Sequence, residues 1–185
     1  MNPTIDSRYS RELVLDIETN GLQPYESRII CIVAKDLQRE KTYSFQSEDE
    51  QEVLEEFLQF YGRRNFDCII GYNILFDIRF IFARALLHQV DGRGFFRTQY
   101  EDLMAVMKQV GYRYSSNNSG GLEDWIKLFF GEEKLMENGS VPEKYEQGKI
   151  DEIVEYCEQD VEVTAKLWRR VNSVVEGHGF KRVKH

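Results

Sequence analysis

The chain has 185 residues, 42% hydrophobic and 30% charged. That excludes a disordered, collagen-like or disulfide-stapled chain and suffices for one domain with its own core. The net charge of −8 argues against a general nucleic-acid coat protein, but it is unevenly spread: residues 132–162 hold 11 acids against 3 bases, whereas residues 165–185 carry +5. Global charge therefore does not decide the partner, and no apolar run approaches the ~20 residues of a membrane-spanning helix.

Glu12 to Asp16 (ELVLD) predicts a short strand and Arg28 to Ala34 (RIICIVA) a more buried one, with Asn20, Gly21 and Pro24 punctuating the link. Lys41 to Gln46 alternates polar and apolar residues, as a half-buried strand does. Three strands in close succession predict an antiparallel meander. Ser47 is the expected N-cap, with Glu50 as its capping-box partner, of a helix that aligns Val53, Leu54, Phe57, Leu58 and Tyr61. Asp67 to Gly71 is a fourth strand. Ile74 to Val90 is apolar nearly all round and predicts a buried helix. Phe95 to Thr98 is the expected fifth strand. Asp102 to Val110 and Leu122 to Phe130 read as helices, separated by a polar, glycine-rich loop at 111–121. Residues 131–148 read as irregular, and Ile150 to Val175 as one long helix whose apolar stripe is centred on Cys157. This order predicts a mixed α/β sheet covered by helices. With no repeat and no linker, the expectation is a single domain over 1–185, its core about 11–176 and a basic C-terminal tail at 177–185.

Cys31, Cys68 and Cys157 are an odd number without a C-x-x-C pair. They read as buried free thiols in a reducing compartment. Met1 to Asp6 shows no cationic-then-apolar leader pattern. The expected location is cytoplasmic.

Three acidic features stand out. Asp16 and Glu18, two apart at the end of the first strand, project from one face, where they repel unless a cation lies between them. Asp77 occupies the first turn of the apolar helix; it can serve the helix dipole, with Asn73 a plain N-cap, but an unpaired carboxylate there is costly and a metal relieves it. Tyr156 and Asp160 stand one above the other on the last helix, bordering its apolar stripe, while Glu155, Glu158 and Glu162 are expected on the solvated side. His88, His178 and His185 belong to none of these clusters. An all-oxygen donor set favours Mg²⁺ or Mn²⁺ over Zn²⁺ or copper.

LVLDIETNGL, IIGYNILFD and YCEQDVEVT resemble, in this order, the three exonuclease motifs of the DEDD family. The Tyr156-x-x-x-Asp160 spacing resembles its DEDDy branch, which includes the proofreading domain of family-B DNA polymerases and stand-alone relatives. The resemblance spans Leu13 to Trp168. It implies a ribonuclease H-like α/β fold: a five-stranded mixed sheet of order 3-2-1-4-5 with helices on both faces. It implies a 3′→5′ exonuclease with two Mg²⁺ or Mn²⁺ ions per site, acting on single-stranded nucleic acid, DNA in the first instance, with a free 3′ end, and with no membrane partner. Asp16, Glu18, Asp77 and Asp160 would hold the metals, and Tyr156 would orient the nucleophile. Thr19, Leu22, Asn73 and Phe76 would grip or wedge the terminal nucleotide, although Phe76 also reads as core. RNA trimming or structure-specific cleavage are the alternatives within the fold. A silent nucleic-acid-binding domain is the alternative outside it, against which the retained acids and tyrosine argue.

Overall fold

The computed structural model describes residues 11–110, 121–131 and 141–175. Its centre is strand β1 (Glu12–Thr19), flanked by antiparallel β2 (Ile29–Asp36) and parallel β4 (Cys68–Gly71). Strand β3 (Lys41–Gln46) pairs antiparallel with β2, and β5 (Gln99–Asp102) parallel with β4. The order is β3-β2-β1-β4-β5, the five-stranded mixed sheet expected of a ribonuclease H-like chain.

The two-residue period of β1 sorts its side chains onto two cores. Leu13, Leu15 and Ile17 face α1 (Glu50–Gly62) and α2 (Ile74–His88), where Phe57, Phe80 and Ile81 close the layer. Val14, with Cys31 and Val33 of β2, faces α6 (Ile150–Val175), whose Cys157, Val161, Leu167 and Trp168 cover it. The shorter helices α3 (Leu103–Val110), α4 (Leu122–Phe130) and α5 (Val141–Glu146) contribute Leu103, Met107, Leu122, Ile126 and Val141 to that second core. The same alternation carries past Val14 to Asp16 and Glu18, so the strand that supplies the core also delivers two acids at its end.

Four expectations are corrected. The N-cap of α1 is Asp49, whose carboxylate accepts from the Gln51 N–H. Ser47 Oγ instead accepts from the Asp49 N–H and donates to Glu52, and Glu50 turns inward. Phe95 to Arg97 form a 3₁₀ turn and the strand follows at Gln99–Asp102. Phe95 is an aromatic plug between Phe57 and Tyr61, not a ladder residue. Residues 141–146, within the stretch expected to be irregular, form α5, which buries Val141. Glu162 is not simply solvated: it accepts from Lys35 Nζ at 2.6 Å and from Thr42 Oγ1 at 2.9 Å. The basic tail at 177–185 and the loop at 111–120 lie outside the described residues. Cys31, Cys68 and Cys157 are buried free thiols, as expected.

Candidate active site

Three departures from regular structure converge at the C-terminal end of β1. The β1–β2 register shifts between Glu18 and Thr19, a local irregularity of the kind that re-aims side chains. Beside it, Gly71 ends β4 so tightly that a Cβ there would meet the Leu15 carbonyl at 3.0 Å and the Ile74 side chain at 2.7 Å. Only glycine lets the chain turn this close to β1. Asn73 then enters the left-handed region at φ 65°, ψ 36°, a conformation asparagine tolerates better than most residues. Its side chain makes no capping bond, and its N–H donates to Asp102 Oδ1 at 3.0 Å. The plain N-cap reading of Asn73 is thereby replaced by a bend that starts α2 directly under β1.

That bend buries Asp77 at 4% exposure against β1, where Asp77 Oδ1 accepts from the Ile17 N–H at 3.1 Å. From the other side α6 brings Tyr156, Cys157 and Asp160, all buried. The Cys157 thiol donates to Asp16 Oδ2 at 3.3 Å, and one donor atom each from Asp16, Glu18 and Cys157 lies within 4.8 Å of the others.

The electrostatics show how closely the five predicted residues gather. The Glu18 carboxyl is pushed well above the usual range by burial, then by Asp16, Cys31, Asp160 and Asp77. Asp77 is pushed up by burial and Asp16, against opposing backbone hydrogen bonds. The Tyr156 hydroxyl is pushed up by burial, by Asp160 and Glu18, and by its hydrogen bond to Asp160. The strongest influences on the two acids are thus burial and other acids, which is the signature of a site built for cations. Oxygen donors suit Mg²⁺ or Mn²⁺. The carboxylates of Asp16 and Glu18, within 4.8 Å of one another, therefore fit a hard divalent ion.

The four residues expected to touch substrate divide. Leu22 is 77% exposed on the β1–β2 loop, and Asn73 is exposed at the head of α2. Thr19 is buried, and its hydroxyl donates to the Gly21 carbonyl at 2.7 Å, shaping that loop. Phe76 is half-buried, its ring 5.5 Å from that of Phe80, so it belongs in part to the core. Sequence reasoning missed Cys157 as a site residue: it was read as the centre of an apolar stripe, and only the β1–α6 contact reveals its bond to Asp16.

Residues 13–172 match the sequence profile described as the RNase_H superfamily. The chain belongs to the RNase_H superfamily. A curated relative, the uncharacterized protein MJ0365 of Methanocaldococcus jannaschii, is 31% identical over 167 residues, covering 84% of this chain and 92% of its own length. Among solved structures, the family B DNA polymerase from the hyperthermophilic archaeon Pyrobaculum calidifontis aligns with a TM-score of 0.73 and 19% identity. That alignment covers 87% of this chain and 24% of the polymerase, so it bears on the fold alone. At the level of the RNase_H superfamily, the chemistry is nucleic-acid cleavage supported by divalent metals. Among the described residues no helix is long and apolar enough to cross a membrane.

Proposed function

We propose that this chain is a 3′→5′ exonuclease that removes nucleotides from the free 3′ end of single-stranded nucleic acid, DNA in the first instance, with two Mg²⁺ or Mn²⁺ ions held by Asp16, Glu18, Asp77 and Asp160. The observation that carries the reading is the convergence of these acids, drawn from three distant segments to one end of the sheet, where Asp77 and Asp160 are buried. Burying like charges together lowers stability, and a bound cation is the compensation that turns the arrangement to use. Bound divalent ions would neutralise the phosphodiester, lower the pKa of an attacking water and stabilise the leaving oxygen.

This chain's own residues supply the rest. Asp77 is fixed by the Ile17 N–H, so its carboxylate cannot swing away. Asp16 is oriented by the Cys157 thiol. The Tyr156 hydroxyl stays protonated at neutral pH, since its environment raises an already high pKa. It is therefore not the base; from beside Asp160 the hydroxyl orients the nucleophile by hydrogen bonding. Leu22 offers an exposed apolar surface to a terminal base. Phe76, half-buried against Phe80, offers less.

The test uses DNA and RNA oligonucleotides labelled at either end, with Mg²⁺, Mn²⁺ or chelator. The expected product ladder shortens from the 3′ end and needs the metal. Full activity in excess chelator, or release of internal fragments, would sink the reading. Faster shortening of RNA would move it to RNA trimming.

A further inference from the structure

We propose that Tyr25 is a second nucleobase platform, upstream of the terminal nucleotide, and that Arg84 is the positioning residue that holds it in place. The inference rests on the exonuclease reading and deepens it. Leu22 and Tyr25, at 77% and 76%, are the most exposed large apolar side chains among the described residues. They stand three apart on the loop that leaves β1 directly after Glu18 and Thr19. Neither adds to either core.

The loop is nonetheless built to be rigid. Gln23 to Glu26 form a turn in which the Gln23 carbonyl accepts from the Glu26 and Ser27 N–H groups at 3.0 and 2.9 Å. Pro24 follows Gln23 and presets the backbone there. The base of the loop is tied by the Arg28 N–H to Asn20 Oδ1 at 2.7 Å and by the Asn20 N–H to the Arg28 carbonyl at 3.2 Å.

The decisive tie comes from below. Arg84 Nη1 donates to the Pro24 carbonyl at 2.9 Å, next to Tyr25. The rest of that guanidinium forks onto Glu50, with Nε at 2.9 Å from Oε1 and Nη2 on Oε2. Glu50 is 5% exposed and also accepts from the Ile29 N–H at 2.6 Å and His88 Nε2 at 2.9 Å. A buried charge network of this kind is expensive to assemble, and here its outer arm ends on the backbone of an exposed aromatic residue. Asp77 and Arg84 are two helical turns apart on one face of α2. One helix thus fixes both the acid under β1 and the loop above it.

A ring held rigidly on the loop that leaves the acid-bearing end of β1 stacks on a base with little loss of entropy and no regard to base identity. A five- to thirty-fold effect corresponds to about 1–2 kcal/mol at 1.4 kcal/mol per decade.

The test compares wild type, Tyr25→Ala, Tyr25→Trp, Arg84→Lys and the Tyr25→Ala/Arg84→Lys double variant. KM and kcat are measured on (dT)10 and (dA)10 with Mn²⁺, and affinity by fluorescence anisotropy of 5′-fluorescein-(dT)10 with Ca²⁺. Tyr25→Ala should raise KM and Kd about five- to thirty-fold for both sequences, with kcat unchanged, and Tyr25→Trp should retain affinity. Arg84→Lys keeps the charge but loses the fork, so it should raise KM. In the double variant its effect should largely vanish, because the ring it positions is gone. Active wild type with Tyr25→Ala unchanged overturns the inference alone. Full additivity in the double variant removes Arg84 from it. Wild type that binds but does not cleave breaks the exonuclease reading and leaves Tyr25 to be judged by affinity. Wild type that neither binds nor cleaves overturns both.

Discussion

Two regions of this molecule bury carboxylates against α2, one at Asp77 in its first turn and one at Glu50 of α1, held by Arg84 two turns further along, and they do so in opposite ways. At Glu50, burial works to raise the pKa, but hydrogen bonds from Arg84, Ile29 and His88 prevail and the carboxyl is held below its usual range. At Glu18 and Asp77, burial works in the same direction and neighbouring acids reinforce it, so both are held well above that range. The first region is electrostatically complete, and the second is one that bound cations would complete. A buried acid is therefore uninformative alone; what surrounds it separates a structural brace from a site.

Six measurements test that contrast, in order of decreasing effect. Asp16→Ala should reduce cleavage on the order of a thousand-fold or more, measured as initial rate on an end-labelled single strand; residual activity within ten-fold of the parent would remove Asp16 from the site. Arg84→Met should strand Glu50 in a buried place and cost ~3 kcal/mol, read by urea unfolding. Asp77→Asn should do the reverse in chelator and raise the unfolding midpoint, because it removes one of the repelling charges while an amide oxygen still accepts from Ile17. If both variants lower stability alike, the two regions do not differ as described.

Mn²⁺ should stabilise the parent by about 2.7 kcal/mol at a hundred times its dissociation constant, and Asp77→Asn should blunt the shift in a thermal melt. Tyr156→Phe keeps the ring and loses the hydroxyl. It should slow turnover about ten- to a hundred-fold and leave the pH–rate profile and the Mn²⁺-induced melting shift in place. A profile that moved would assign Tyr156 a proton-transfer role.

The smallest effect is a pair of opposite pH slopes in the metal-free protein. Glu18 and Asp77 have raised folded-state pKa values, so the native state holds more protons than the unfolded one above the ordinary carboxylate range. Stability there falls as pH rises through those raised values. Glu50 has a lowered value, so its contribution is present above the ordinary range and fades as pH falls through the lowered one. Melting against pH in chelator should show both limbs, and Glu50→Gln should flatten only the acid one.

Local spacing makes each pair of candidate residues legible in the sequence: strand alternation puts Asp16 and Glu18 on one face, and helical rise puts Tyr156 beside Asp160. Their gathering into one site came through resemblance, since spacing says nothing of segments far apart. The sheet order came through resemblance, since periodicity gives strands but not their neighbours. What stayed hidden depends on partners far along the chain. Gln99–Asp102 is a polar edge strand with no apolar alternation, whereas Phe95 and Phe96 carry strand-like side chains that aromatic packing claims first, Phe95 against α1 and Phe96 against Phe82 of α2. Glu50 was assigned to a local capping box, but Arg84 and Ile29, 34 and 21 residues away, draw it inward. Cys157 reads as a core residue by every local rule, and its bond to Asp16 spans 141 positions.

That span has a consequence for how the protein comes into being. Synthesis proceeds from the N-terminus, and domains fold as their parts emerge. The sheet, from Glu12 to Asp102, leaves the ribosome well before α6, which carries Tyr156, Cys157 and Asp160 and covers Val14, Cys31 and Val33. Until that helix arrives, one face of the sheet is bare and the acids of β1 and α2 stand without Asp160 beside them. A nascent chain cannot assemble this cluster before α6 is made, so the same docking event that seals the second core also brings Tyr156, Cys157 and Asp160 to the acids of β1 and α2.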